Sequence, residues 1–441
     1  MTTASDRGAA VLLGTLIALT VIGSSAVAVA IPVVRTELAL SVSDAAWIFS
    51  VFSLCFAVAT ATFGRIADLV GLRAPLIVGV CLMAVGSVVV AFAPSLPILL
   101  AGRIVQGSGA GAVPVLVNGI VAARWRGAAR TAMFGSLLAV VAIVSGSGPV
   151  IGGAVEAALG WRWVFALPAL SVALIAPIAR IAPSGGRPGS FDVAGCVATA
   201  AVIAGALAIL QAPTAGGLVG TVGAALLVTG VPAAVLLARR RPDGFLPRDV
   251  IADGRIMRPA VATLALLGAY FAMLLAVPEL LAASRGWSPL QIGLALLPAA
   301  AAGAIASRVT GRVAPTAGRP RTASAIAVLT LVCLAVASAA PTSAVALVVG
   351  LAGASIGFAA SQAALVDEVA ALAPVHVLGA ALGVFNMVTF VGGSMGPALV
   401  GGLSGVVGLS AAVAATTLGP LGALAMLGLP RLRAATDALE G

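Results

Sequence analysis

Charged side chains make up only 9% of this chain, so the groups able to do chemistry are quickly found. A single histidine, His376, and four cysteines, Cys55, Cys81, Cys196 and Cys333, sit at unrelated spacings. That pattern gives neither a metal site nor a disulfide framework, and the cysteines are expected to be buried small hydrophobes. No nucleophile with an adjacent base is visible, so an enzyme is not expected, and neither a cofactor nor a metal is implied. Three ionisable residues do stand in or at the ends of apolar runs: Arg103, Glu156 and Glu279. Arg103 lies about seven residues into its run, roughly 10 Å deep at 1.5 Å per residue. A guanidinium there is costly unless paired or hydrated, so it is expected to face a cavity or a partner. Glu156 is the carboxylate expected to pair with it and to exchange protons with the exterior. Glu279 is expected at an outer helix end, within reach of interfacial water. Asp367, Glu368 and His376 read as a hydrated loop.

Glycines supply the second set of signals. Gly64-Arg65-Ile66-Ala67, continued by Asp68, Gly71 and Arg73, recurs as Gly311-Arg312-Val313-Ala314 with Gly318, 247 residues later. Ser145-Gly146-Ser147-Gly148-Pro149 with Gly152 and Gly153 is echoed by Gly396-Pro397 with Gly401 and Gly402, at nearly the same offset. Two motifs in one register argue for a duplicated unit. In the first motif, Asp68 can accept hydrogen bonds across a seam and latch one conformation. In the second, small residues allow backbone-close packing and Pro149 bends its helix, which describes a gating surface.

The elements that hold these residues must cross a membrane, because 61% of the 441 residues are apolar and a soluble fold needs far more charge. A helix needs about 20 apolar residues to cross the hydrocarbon core. Cutting the chain at arginine, proline and polar glycine-rich breaks predicts fourteen spans: 9–33, 44–63, 75–93, 96–120, 130–157, 163–182, 191–211, 216–238, 258–281, 289–311, 321–340, 342–365, 378–403 and 409–430. The first is too long for a signal peptide and lacks a small-residue cleavage site. All 24 basic residues are arginine. With the amino terminus inside, 20 of them are cytoplasmic, only Arg35, Arg162 and Arg285 are outside, and Arg103 is within a span. Both termini are therefore expected in the cytoplasm, with the chain multi-pass in the inner (plasma) membrane. Arginines scattered between apolar runs explain the sequence pI near 11.3, so no nucleic-acid partner is implied. The expected fold is an all-α membrane protein: a six-helix bundle over 1–189, two inserted helices with a cytoplasmic linker over 190–257, and a pseudo-symmetric bundle over 258–441. The linker at 238–257 is expected to be partly an amphipathic surface helix.

A solute cavity between the bundles would be lined by the first, fourth and fifth helices of each and their mates. That nominates Ser24, Ser25, Gln106, Ser145, Tyr270, Phe271, Ser361, Gln362, Phe385, Asn386 and Phe390, a lining that suits an amphiphilic or aromatic small molecule better than a sugar.

The residues from Gly64 to Arg73 resemble the loop signature of the major facilitator superfamily. Arg103-Ile104-Val105-Gln106-Gly107 and Gly148-Pro149-Val150-Ile151-Gly152-Gly153 resemble its drug:proton antiporter motifs. Trp161-Arg162-Trp163-Val164-Phe165, Phe191-Asp192, Ser288 to Gly293, and Gly379 to Gly383 with Asn386 are similar to the fourteen-helix subgroup, whose layout includes the tetracycline exporters of Gram-positive bacteria. The resemblance implies two rocking bundles and proton influx driving drug efflux. It makes Arg103 the relay arginine and Gly146, Gly148, Pro149, Gly152 and Gly153 the antiporter signature. Where relatives carry acids, this chain has Gly23, Ser145 and Gly393, which argues against metal-bound tetracycline and against cations as substrates. The expected function is secondary-active export of a hydrophobic or amphiphilic small molecule by a monomer in the lipid bilayer, with protons as the coupled ion. The alternatives are an exporter of an endogenous metabolite or lipid without such coupling, and a membrane sensor or scaffold that does not transport.

Overall fold

The computed structural model describes residues 4–186, 189–241, 244–373 and 378–428. His376 lies outside them. Among the described residues the chain is helical without strands. The helices are α1 (Ala4–Glu37), α2 (Val42–Val70), α3 (Arg73–Ala91), α4 (Leu96–Arg124), α5 (Gly127–Leu159), α6 (Trp161–Ile181), α7 (Val193–Ala215), α8 (Gly217–Arg240), α9 (Gly254–Arg285), α10 (Pro289–Ala317), α11 (Arg319–Ala339), α12 (Ala344–Leu372), α13 (Leu378–Val407) and α14 (Leu409–Gly428). Thirteen spans among the described residues are long and apolar enough to cross a membrane. With α5, whose 33 residues reach about 50 Å at 1.5 Å each, the helices number fourteen.

Helix boundaries follow local chemistry. Ser41 and Ser288 start α2 and α10 as capping boxes with Asp44 and Gln291. Gly71 ends α2 at φ 86°, and a Cβ there would lie 2.6 Å from the backbone nitrogen of Gly185, so only glycine fits this turn. α6 is not the regular helix expected over 163–182. It passes into a 3-10 stretch at Leu167–Leu174, where Pro168 lacks a donor. α14 repeats the feature at Val413–Thr417, again within two turns of its start. The cysteines are unpaired, but Cys81 is exposed on the lipid-facing side of α3 rather than buried.

The packing repeats itself. In the first bundle α1 lies against α5, and α2 and α3 lie against α4. In the second, α9 lies against α13, and α10 and α11 lie against α12, the same pairs displaced by eight helices. The bundles meet where α2 faces α13 and where α5 faces α10, again exchanged by the pseudo-two-fold, with α1 against α9 between them. Glycine sets the helix spacing. A Cβ at Gly109 would strike the backbone of α3, and one at Gly392 or Gly396 would strike the backbone of α9 at Leu264 and Gly268.

Between α8 and α9 the expected surface helix is absent. Four residues, Arg248–Ile251, make one helical turn, and Phe245 and Val250 are buried. Asp192 is the reason. Its carboxylate caps α7 at the Gly195 nitrogen, accepts from the Phe245 nitrogen, and pairs with Arg241 at 2.6 Å. Phe191 meets Phe245 edge to face, and Arg65 of α2 donates to the Gly244 carbonyl at 3.0 Å. Burial pushes the Asp192 carboxyl up, but the two backbone donors and Arg241 outweigh it and hold the group below the usual carboxylate range. A depressed value means the stabilisation is complete above about pH 3.9 and fades only as pH falls through the folded value.

Two outcomes follow. Asp192→Asn should hasten trypsin cleavage after Arg239 and Arg240 at neutral pH, where the wild-type contact is intact; equal cleavage rates would show that the carboxylate does not hold the linker. Gly396→Val should lower stability by about 1–3 kcal/mol or more by overpacking α9 against α13. It should be seen as a lower unfolding temperature in detergent, while Gly311→Ala, where a Cβ meets nothing within 4 Å, should not.

Candidate functional site

Arg103 is wholly buried, and its surroundings differ from the expectation. Its Nε donates to the Ile48 carbonyl at 3.0 Å, and one terminal nitrogen donates to the Gly23 carbonyl at 3.1 Å and to Gln106 Oε1 at 2.7 Å. The guanidinium lies 4.0 Å from the centre of the Phe52 ring and 5.5 Å from that of Phe165. No carboxylate bonds to it. Glu156 stays half-buried at the end of α5, so the expected pair is not made. A Cβ at Gly23 would come within 3.3 Å of Pro168, and α1 meets Arg103 there through the Gly23 carbonyl. Gln106 is likewise turned inward, donating to Ser87 at 2.8 Å and weakly to the Phe165 carbonyl, inside the first bundle and not on the seam. Arg103 therefore ties α1, α2 and, through Gln106, α3 to α4.

The seam between bundles is aromatic. Phe49 of α2 meets Phe271 of α9 edge to face at 6.5 Å, Tyr270 stacks on Phe358 of α12 at 5.9 Å, and Phe56 meets Phe390 of α13 at 4.8 Å. Gly393 is placed against Ser53 and Phe271. Beside this run, Gln362 donates to Asn386 at 3.3 Å. The Ser361 and Thr389 hydroxyls and the Gln362 carbonyl oxygen are buried without partners, which leaves unused hydrogen-bonding capacity next to the rings. Of the nominated lining residues, Tyr270, Phe271, Gln362, Asn386 and Phe390 come together here. Phe385 instead points into the core of the second bundle, Ser25 is buried against Gly148 of α5, and Ser24 is half-buried on α1. Ser145 and Gly146 lie in α5, and the surroundings of both fall outside what is described. Phe49, Phe52 and Phe56 escaped the sequence reading, although their spacing of three and four marks one helical stripe.

The two ends of the seam differ. At the arginine-poor end, which carries Arg35, Arg162 and Arg285, Arg35 of α1 forms an ion pair with Glu279 of α9. Glu279 is only 2% exposed and its second oxygen has no partner. The expectation of a hydrated Glu279 fails because the last turn of α1 lies over it. Nearby, Glu37 accepts from Trp161 and Arg162, fastening α1 to α6. Gly153 lies against the backbone of Pro289 and Leu290, Gly293 against the Pro149 carbonyl, and Gly401 against Ala46, so this end is shut. At the other end a cavity of about 240 Å³ opens between α2, α4, α13 and the linker, with Thr60, Arg65, Asp68, Leu116, Phe245 and Met387 among its walls. Asp68 is exposed there and has no partner across the seam. The latch expected of it is not made, and Arg65 holds the linker instead. Gly64 packs on Val115, and the backbone nitrogen of Arg73 donates to the Pro183 carbonyl.

Arg103→Lys keeps the charge but loses the planar fork. It should lower stability in detergent by about 1.5–3 kcal/mol, the worth of one charge-assisted bond. Unfolding at the wild-type temperature would show that the fork is not structural.

A model of the Major Facilitator Superfamily matches residues 13–397. The multidrug resistance protein Stp of Mycobacterium tuberculosis is 28% identical over 384 residues, covering 85% of this chain and 71% of Stp. The methylenomycin A resistance protein of Streptomyces coelicolor is 29% identical over 353 residues, 76% of this chain and 73% of that protein. The efflux transporter aclA of Aspergillus oryzae is 37% identical over 154 residues, 34% of this chain and 28% of aclA. Among solved structures, a bacterial homolog of the human lysosomal transporter Spinster, inward-facing and unoccupied, superposes with a TM-score of 0.70 at 15% identity over 97% of both chains. The family match over most of the length and the paired bundles agree, and the chain belongs to the Major Facilitator Superfamily as a multi-pass membrane transporter and not an enzyme.

Proposed function

We propose that the protein exports hydrophobic or amphiphilic small molecules from the cytoplasm by alternating access and proton antiport. It would sit in the plasma membrane as a monomer, with the arginine-rich end and both termini cytoplasmic. The moving bodies would be residues 1–189 and 258–441, with 190–257 inserted between them. Drug-resistance names among the relatives support the direction of transport. The observation that carries the reading is the asymmetry of the seam: a buried ion pair and glycine contacts shut one end while a cavity enters the other.

In this reading the aromatic run from Phe49 to Phe390 takes the apolar body of the solute. Gln362, Asn386, Ser361 and Thr389 take its hydrogen-bonding groups. The proton acceptor is Glu279 and not Glu156, because Glu279 is the acid that bridges the two bundles. When the arginine-poor end parts, the carboxylate meets the proton-rich side, takes up a proton and loses its attraction for Arg35. Closing brings Arg35 back and restores the ionised carboxylate, and the proton leaves through the seam as it opens toward the arginine-rich end. Arg103 holds the first bundle rigid during this motion. A second reading, export without proton coupling, is favoured by one observation: among the described residues Arg103 meets the Gly23 carbonyl of α1 and no carboxylate.

The test is reconstitution in liposomes with a lumenal pH dye and chloramphenicol, a neutral aromatic amide. Chloramphenicol-dependent proton flux is expected in wild type and Glu156→Gln, with at least a tenfold loss in Glu279→Gln. Solute movement without proton flux would establish the uncoupled reading. Flux that survives Glu279→Gln would remove that residue from its role.

A further inference from the structure

We infer that the inserted helix α7 is a specificity element: it stays with the first bundle and keeps the α2–α13 seam closed to lipid. The solute then enters from water as a soluble amphiphile and not as a bilayer lipid. This deepens the export reading above and rests on it for the identity of the cargo, though the mechanical part stands alone.

A carrier built from two bundles has two lateral seams through which a lipid could pass. In this chain α7 covers one of them, and the helices of the other touch at the arginine-poor end. Across α5 and α10, a Cβ on Gly153 would come within 2.6 Å of the Leu290 Cα, so the backbones meet there. Across α2 and α13, α7 lies in the groove, with Ile203 packed against Ala57 of α2 and Val391 of α13. α8 packs along α7 through Gly205 and Gly223 and backs it on the membrane side. At the arginine-rich end the linker residues Phe245 and Pro247 continue the cover over the cavity.

α7 packs more extensively along α13 than along α2, but its hydrogen bonds run to α2, and that inequality in kind predicts which partner moves. To α2 they are directional at both ends: Ser43 with Thr214 at 2.5 Å, Ser43 with Gln211 at 3.5 Å, and Thr62 with Cys196 at 3.3 Å. The hold of Arg65 on Gly244 and the grip of Asp192 on Phe245 and Arg241 add to them. To α13 the contacts at this end are glycine against backbone and methyl: Gly402 against the Leu210 carbonyl and Gly405 against Thr214. A hydrogen bond fixes one geometry and must break before the helices it joins can slide. A glycine face slides without losing any such bond. Rocking therefore draws α13 along α7, while α7 remains on α2 and the seam stays sealed in both states.

Two engineered disulfides test this. Thr62→Cys can bridge to the native Cys196 and lock α7 to α2, with Cys55, Cys81 and Cys333 replaced by serine. Thr214→Cys with Gly405→Cys locks α7 to α13 in a background free of the other cysteines. The Cβ placement at 405 lies 3.3 Å from that of Thr214, close to disulfide spacing. The first lock should leave chloramphenicol export within twofold of the reduced protein, and the second should abolish it until reductant is added. Cross-linking yield needs no cargo: from wild type to Glu279→Gln it should hold steady for the first pair and fall several-fold for the second. The reverse pattern, or no change in either pair, overturns the inference, as does facilitated movement of fluorescent NBD-phosphatidylcholine between leaflets. If the yields follow expectation and chloramphenicol is not moved, the export reading fails and the seal stands.

Discussion

Two helices surrounded by hydrocarbon gain nothing from burying leucine against each other, since lipid tails are equally apolar. What remains is dispersion at short range, and that demands backbones close enough to touch. Much of the architecture obeys this demand. Gly79 and Gly109 between α3 and α4, Gly350 and Gly353 of α12 beside Cys333 of α11, and Gly392 and Gly396 of α13 against α9 occupy points where a Cβ would collide with the neighbouring helix. The same close contacts give the seam its mechanics. Gly153 and Gly293 let α5 and α10 meet without interlocking side chains, so the joint closes tightly yet holds no knob that must be withdrawn before it opens.

Charge is the second constraint, and the chain meets it in two different ways. Arg103 has no counter-ion, so its charge is spread over two main-chain carbonyls, an amide oxygen and the faces of two rings. All of these acceptors belong to the first bundle, so the interaction stiffens that bundle and does not depend on how the halves are placed. Glu279 is neutralised by an arginine from the opposite bundle. Its partner is lost as soon as the halves separate. One buried charge thus serves rigidity and the other senses the state of the seam.

α7 lies in the groove between α2 and α13, and Asp192, one residue ahead of it, gathers the linker with a single carboxylate. The linker then lies over the Gly64 to Gly71 region, where Arg65 donates to the Gly244 carbonyl.

Much of the fold was legible because lipid enforces a simple code. Runs of about 20 apolar residues with arginines between them gave fourteen spans, and the offset shared by the Gly64 and Gly311 motifs pointed to the pairing that the helix contacts repeat. The nominated lining was legible only as helix levels: Tyr270, Phe271 and Phe390 take part in the aromatic contacts and Gln362 bonds Asn386, but none of them is among the walls of the cavity. The rotation of each helix about its axis is not set by hydropathy when both lipid and protein interior are apolar, and that is why Gln106, Ser25 and Phe385 were assigned to a cavity they do not line. Nor can spacing along the chain say which distant groups meet. Arg35 and Glu279 lie 244 residues apart. Only the packing of α1 on α9 made them a pair, because an ion pair depends on separation in space and the chain between them carries no record of it.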